Sequence, residues 1–122
     1  MKEKETFSLR SRVLSFKYAF EGLVVFFRNE HNAWIHLLAT VGVICLAIIL
    51  PVSKTEILFL VVVMGLVWIT ELLNTAIERS MDLLSLEKDP KIKIIKDLSA
   101  AAVLVAALAA LVTGCIIFIP KL

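Results

Sequence analysis

Apolar residues collect in three long runs along this chain, separated by short polar blocks. Residues 33–50 are apolar apart from His36 and Thr40, and Pro51 stops the run. Residues 57–73 are broken near their end by Thr70 and Glu71, and residues 98–119 run almost uninterrupted to Pro120. A bilayer span takes about 17–25 residues. Each run therefore predicts a transmembrane helix, the first two short but sufficient. Residues 11–29 carry a different pattern. Val13, Phe16, Phe20, Leu23, Val24 and Phe27 recur at helical spacing, while Arg12, Lys17, Glu21 and Arg28 mark the opposite side. Lys17 and Glu21 form an i,i+4 pair. Aromatics on one face and basic residues on the other predict an amphipathic helix lying in the membrane interface. Packing of that face on a soluble core is the other reading. Residues 1–9 are polar and are expected to fray. The pattern as a whole predicts an all-α membrane protein, one domain over residues 1–122, with three transmembrane helices and an N-terminal amphipathic surface helix.

Composition agrees with this class. The chain is 60% hydrophobic, against about 45–50% for soluble domains, and its mean hydropathy is +0.93. Cys45 and Cys115 both sit in apolar runs without metal-ligand spacing, and read as small buried hydrophobes. Met1 to Arg12 lacks the short apolar core of a signal peptide. The net charge of +2 is small, but its distribution is uneven. Lys2, Lys4, Arg10, Arg12, Lys17 and Arg28 precede the first run, and Arg79, Lys88, Lys91, Lys93 and Lys96 lie between the second and third. Only Lys54 and Lys121 fall on the other side. By the positive-inside rule the N-terminus and the second loop face the cytoplasm, and the C-terminus faces out.

That orientation changes the meaning of the polar residues. Glu71-Leu-Leu-Asn-Thr-Ala-Ile-Glu78 closes the second run, and Asp82 follows. At about 3.6 residues per turn, positions 71, 74, 78 and 82 share one stripe of a helix. Glu30 precedes the first run, and Lys96 and Asp97 open the third. All of them are expected at the cytoplasmic boundary, where ATP is available. Carboxylates there suit Mg²⁺ together with phosphate oxygens. Lys96 suits a phosphate. An acid such as Glu71, close to membrane depth, is costly and so a functional candidate, able to take a proton from an alcohol. For Glu78, Arg79 and Asp82 a solvated helix end is the plainer reading, and for Asp97 a favourable charge at a helix start. Neither GxxxxGK[ST] nor GxGxxG occurs. His31 and His36 are five apart, off the spacing of a helical metal pair, and His36 reads as a polar group satisfied by a neighbouring helix. Ala102, Ala106 and Ala110, with Ser99 and Ala109 nearby, give the third run a small-residue face suited to close helix contact. Trp34 and Trp68 fit either an interface belt or internal packing.

These residues carry a resemblance to a known family. Arg28-Asn29-Glu30, the stretch from Glu71 to Glu78 with Asp82, and Lys96-Asp97-Leu-Ser-Ala-Ala-Ala-Val103 resemble the small integral-membrane diacylglycerol kinases of bacteria, a family that includes undecaprenol kinases. The resemblance implies a homotrimeric helical bundle in the bacterial cytoplasmic membrane. Its active sites are shared between subunits, and MgATP phosphorylates a lipid hydroxyl there. By position, Glu71 matches the general base, Glu30 and Glu78 match Mg²⁺-binding carboxylates, and Asn74, Lys96 and Asp97 match residues lining the nucleotide and phosphate site. The segment Ser15-Phe-Lys-Tyr-Ala-Phe20 and the ending Ile116-Ile-Phe-Ile-Pro-Lys-Leu122 look like the undecaprenol-kinase branch. Enterobacterial diacylglycerol kinases have serine where Ala19 stands and lack this ending. Undecaprenol is thus favoured as acceptor, with diacylglycerol next. The expected partners are the lipid, ATP and further copies of the chain, with no nucleic acid. Two rivals fit less well. A small transporter places its acids near the midplane, and a structural membrane adaptor has no need of Glu71 and Asn74 at a helix end.

Overall fold

The computed structural model describes residues 7–122; Lys2, Lys4 and the first part of the expected frayed end lie outside the described residues. Four α-helices follow one another: α1 (Leu9–Asn29), α2 (His31–Ile49), α3 (Lys54–Leu84) and α4 (Pro90–Phe118), with a single 3₁₀ turn at Ile119–Lys121. No strand occurs among the described residues. Helices α2, α3 and α4 are each long and apolar enough to cross a membrane. The chain forms two compact units, residues 1–31 and residues 32–122.

Helix ends sit where local chemistry puts them. Ser8 caps α1 by accepting from the Ser11 amide, so Leu9, the last residue of the expected frayed end, is already helical. Ser53 and Glu56 form a reciprocal capping box at the start of α3. Asp89 caps α4, with Pro90 in the first turn, where its missing N–H costs nothing. Within α1, Lys17 and Glu21 approach to 3.9 Å. The apolar-run reading ended the second span at residue 73, yet α3 continues to Leu84. Its 31 residues at about 1.5 Å each reach about 46 Å, whereas the hydrocarbon core is about 30 Å thick. α3 is therefore longer than a perpendicular crossing requires. The apolar run stops where the residue types turn polar, from Glu71 on, while the helix continues.

In the unit of residues 32–122, α3 is the central element. Its buried positions, Leu60, Val63, Val67, Glu71 and Thr75, form one stripe spaced three or four apart. Helix α4 runs antiparallel to it, as the pairings 56 with 121, 74 with 99 and 82 with 96 require. Helix α2 also runs antiparallel to α3, linked at 36 with 71 and 40 with 68. Leu60, Ile117 and Phe118 make an apolar cluster with Val43, Leu50 and Val52 at the end remote from Glu71. Beyond that cluster, Lys121 and Glu56 pair at 2.8 Å. Ala106 is buried, but Ala102 and Ala109 are exposed, so only part of the small-residue face meets α3 within one chain. Cys45 and Cys115 are free and exposed, contrary to their reading as buried hydrophobes. Lipid is an apolar solvent, so hydrophobicity alone does not draw a small side chain inward. The same reason accounts for the exposure of Leu38, Ile48, Leu58, Val61, Val105 and Ile116.

Candidate active site

The polar end of α3 directs its side chains to two neighbours, α2 and α4. Glu71 occupies the buried stripe and is only 2% exposed. A carboxylate removed from water needs partners. Glu71 has two, both on α2: its Oε1 lies 3.4 Å from Asn32 Nδ2, and its Oε2 lies 3.3 Å from His36 Nε2. These bonds are long for charge-assisted ones. Such slack is common at catalytic groups before substrate tightens the site. No buried side-chain nitrogen or oxygen among the described residues is left without a partner.

Asn74 is half-buried and turned the other way, toward α4. Its Oδ1 accepts from the Ser99 hydroxyl at 2.6 Å, and Ser99 Oγ is also 2.9 Å from the Lys96 carbonyl. With Oδ1 so engaged, the Asn74 amide nitrogen keeps its donors for another acceptor. About two turns further on, Asp82 receives Lys96 Nζ at 2.6 Å. Lys93 and Asp97 pair at 2.5 Å on the exposed side of α4. Exposed pairs of this kind contribute little stability, about 0–1 kcal/mol. Both can therefore open toward a phosphate at small cost. Asp82, Lys93, Lys96 and Asp97 border a cavity of about 560 Å³ between the end of α3, the 85–89 loop and the start of α4.

Glu78 is half-buried on α3 and enters no ion pair among the described residues. Glu30 caps the C-terminus of α1 and belongs to the unit of residues 1–31, whereas all the other candidates belong to residues 32–122. No group of three or more metal-ligating side chains comes together among the described residues. The stripe expected from positions 71, 74, 78 and 82 is thus real as a helix face but divided in its contacts. Glu71 engages α2, while Asn74 and Asp82 engage α4. His36 was expected to be satisfied by a neighbouring helix, and it is. Asn32 was overlooked. The one available signal was its i,i+4 spacing to His36 at the start of an apolar run. Ser99 was seen only as a small residue, and its hydroxyl turns out to hold Asn74.

Known proteins fit this arrangement. Residues 17–118 match the model of the prokaryotic diacylglycerol kinase family. An undecaprenol kinase of Bacillus subtilis is 35% identical over 108 residues, which is 88% of each chain. A diacylglycerol kinase of Synechocystis is 38% identical over 111 residues, 90% of this chain but 63% of its relative, so this chain spans just under two thirds of that protein's length. A diacylglycerol kinase of Pseudomonas aeruginosa is 39% identical over 89 residues, 73% of this chain and 72% of the other. With three apolar spans and acids gathered at one end of the central helix, this chain belongs to the prokaryotic diacylglycerol kinase family, a family of membrane lipid kinases.

Proposed function

We propose that the protein transfers the γ-phosphoryl group of ATP to the hydroxyl of a membrane lipid, with undecaprenol the preferred acceptor and diacylglycerol the next. The observation that carries this reading is Glu71, a buried acid on a membrane-spanning helix where an acceptor hydroxyl at the bilayer boundary would lie. In the reaction the lipid oxygen attacks phosphorus. Its O–H proton passes to a Glu71 carboxylate oxygen, the new O–P bond forms, and the bond to the ADP oxygen breaks. Phosphoryl transfer asks the protein mainly to position groups and neutralise charge. Asn74 has donors free for a phosphate oxygen. Lys96, released from Asp82, offers a cation, and Asp97 borders the same cavity.

Mg²⁺ fits this donor set. It is usually held by one or two carboxylates plus substrate phosphates, without an all-protein cage. Glu78, a half-buried carboxylate that makes no ion pair among the described residues, is a suitable holder, and Glu30 is its proposed companion. Bound there, the ion would neutralise the charge developing on the transferred phosphoryl group.

The acceptor preference is supported by the likeness to the undecaprenol kinase over 88% of both chains. A homotrimer with shared sites is supported by the large apolar surfaces of α2 to α4, which suit lipid or further copies, and by the small-residue face of α4. Residence in the bacterial cytoplasmic membrane, with the N-terminus inside, is supported by the lysine and arginine bias. Alpha1, with exposed apolar and basic residues, is proposed to lie in the interface. The test is phosphate transfer from radiolabelled ATP in mixed micelles carrying undecaprenol or diacylglycerol. Label is expected in both lipids, at the higher kcat/KM in undecaprenol. No label in either lipid would overturn the kinase reading, and a preference for diacylglycerol would reverse the acceptor order.

A further inference from the structure

Three polar residues of α2, Asn32, His36 and Thr40, follow one another at four-residue intervals on a span whose other residues after His31 are apolar. Polar groups so placed are costly in a membrane unless they are used. All three are turned to the same stretch of α3. Asn32 and His36 reach opposite oxygens of Glu71, at 3.4 Å and 3.3 Å. Thr40 accepts from the Trp68 indole N–H at 3.0 Å and donates to the His36 carbonyl at 2.7 Å. The His36 and Trp68 rings meet edge-on, 6.2 Å between centroids. The imidazole is therefore held through its ring by Trp68 and through its backbone by Thr40. Helix packing alone calls for none of this, since alanine or leucine would fill the same positions.

From this network we infer that His36 and Asn32 are positioning residues which set the orientation of the Glu71 carboxylate toward the acceptor hydroxyl. The inference rests on the reading of Glu71 as the base. A glutamate side chain has three torsions, and one that bonds nothing turns freely. Donors on both oxygens fix the carboxylate plane. An ionised carboxylate only accepts, so His36 must carry its proton on Nε2, which sets the tautomer. Each Glu71 oxygen has a second lone-pair direction, and that is the one left to the lipid hydroxyl. Displacing a reacting group by about 1 Å costs on the order of 100-fold in rate.

The test uses the full chain in mixed micelles, with ATP, Mg²⁺ and either undecaprenol or diacylglycerol. His36→Leu is expected to lower kcat about 100-fold while the KM for ATP stays within about twofold and the assembled size is unchanged. His36→Gln keeps an amide donor of similar reach and is expected to recover at least about tenfold of that loss. Glu71→Gln with His36→Leu should be no slower than Glu71→Gln alone, because His36 acts only through Glu71. Three results would each overturn the inference: near-wild-type kcat in His36→Leu, equal loss in His36→Gln and His36→Leu, or a double variant much slower than Glu71→Gln. If His36→Leu does not assemble, Asn32→Leu decides, since Asn32 is exposed and its replacement spares the packing. An assembled Asn32→Leu protein that loses about tenfold or more in kcat supports the inference, and wild-type kcat defeats it. Full turnover in Glu71→Gln would refute the base itself. An inactive Glu71→Gln beside an active His36→Leu would refute only the positioning role.

Discussion

Glu71→Gln is the sharpest single perturbation of this site. The two side chains have nearly the same shape, so no cavity opens and no atom is added. The hydrogen bonds also survive. The glutamine oxygen can accept from Asn32 Nδ2, as Oε1 does now at 3.4 Å. Its NH₂ can donate to His36 Nε2 once the imidazole proton moves to Nδ1, in place of the present 3.3 Å contact. Two bonds to a charge, each about 1.5–3 kcal/mol, become two neutral ones of about 0.5–1.5 kcal/mol. Against that loss, a charge no longer has to be buried at 2% exposure. The desolvation of a buried carboxylate is of similar or larger size and opposite sign, so the two effects largely offset each other in folding stability. Catalysis should change far more, because an amide cannot accept the hydroxyl proton. A positioned base contributes about 10²–10⁴-fold, or about 2.7–5.4 kcal/mol of barrier. The assay compares turnover, nucleotide affinity and size in detergent for the two proteins. Loss of turnover with assembly and ATP binding intact is the expected result. Joint loss of assembly, nucleotide binding and activity would mean that Glu71 is an anchor between α2 and α3. An assembled variant turning over at near wild-type rate would refute both roles.

Glu78→Gln should keep the fold and raise the Mg²⁺ concentration needed for half-maximal turnover, with lower maximal turnover; an unchanged Mg²⁺ titration rejects that carboxylate as a metal holder. Ala106→Leu adds three carbons at a buried position on α4, which should destabilise by about 1–3 kcal/mol; an unchanged unfolding midpoint in detergent would show that the α3–α4 contact gives way easily. Orientation can be read by thiol labelling at Thr55→Cys with Cys45 and Cys115 replaced by alanine. Thr55 is exposed and spares the Ser53 cap, and labelling only after permeabilisation would place that loop inside and invert the topology.

Much of this protein is legible in one dimension. The three spans follow from run length against bilayer thickness, but their helix starts do not: α4 begins at Pro90, well before the apolar run that opens at 98, because Asp89 caps a polar first stretch that hydropathy passes over. Glu71 stands out because a charge in an apolar run is expensive wherever it points. Direction is what the chain alone does not reveal. A membrane helix is apolar on every side, so hydrophobic periodicity no longer separates inside from outside. Cys45 and Cys115 were misread for that reason, and Ala102 and Ala106 look alike in sequence while only the second is buried. Tertiary structure alone decided that Glu71 answers to Asn32 and His36 while Asn74, three residues on, answers to Ser99. Three residues turn a helix by about 300°, leaving the two side chains about 60° apart. That angle lets α3, packed against α4 and linked to α2 by side-chain hydrogen bonds, present Glu71 to one neighbour and Asn74 to the other. Which neighbour receives which residue depends on the rotation of each helix about its axis, and that rotation is set by packing between segments distant in sequence.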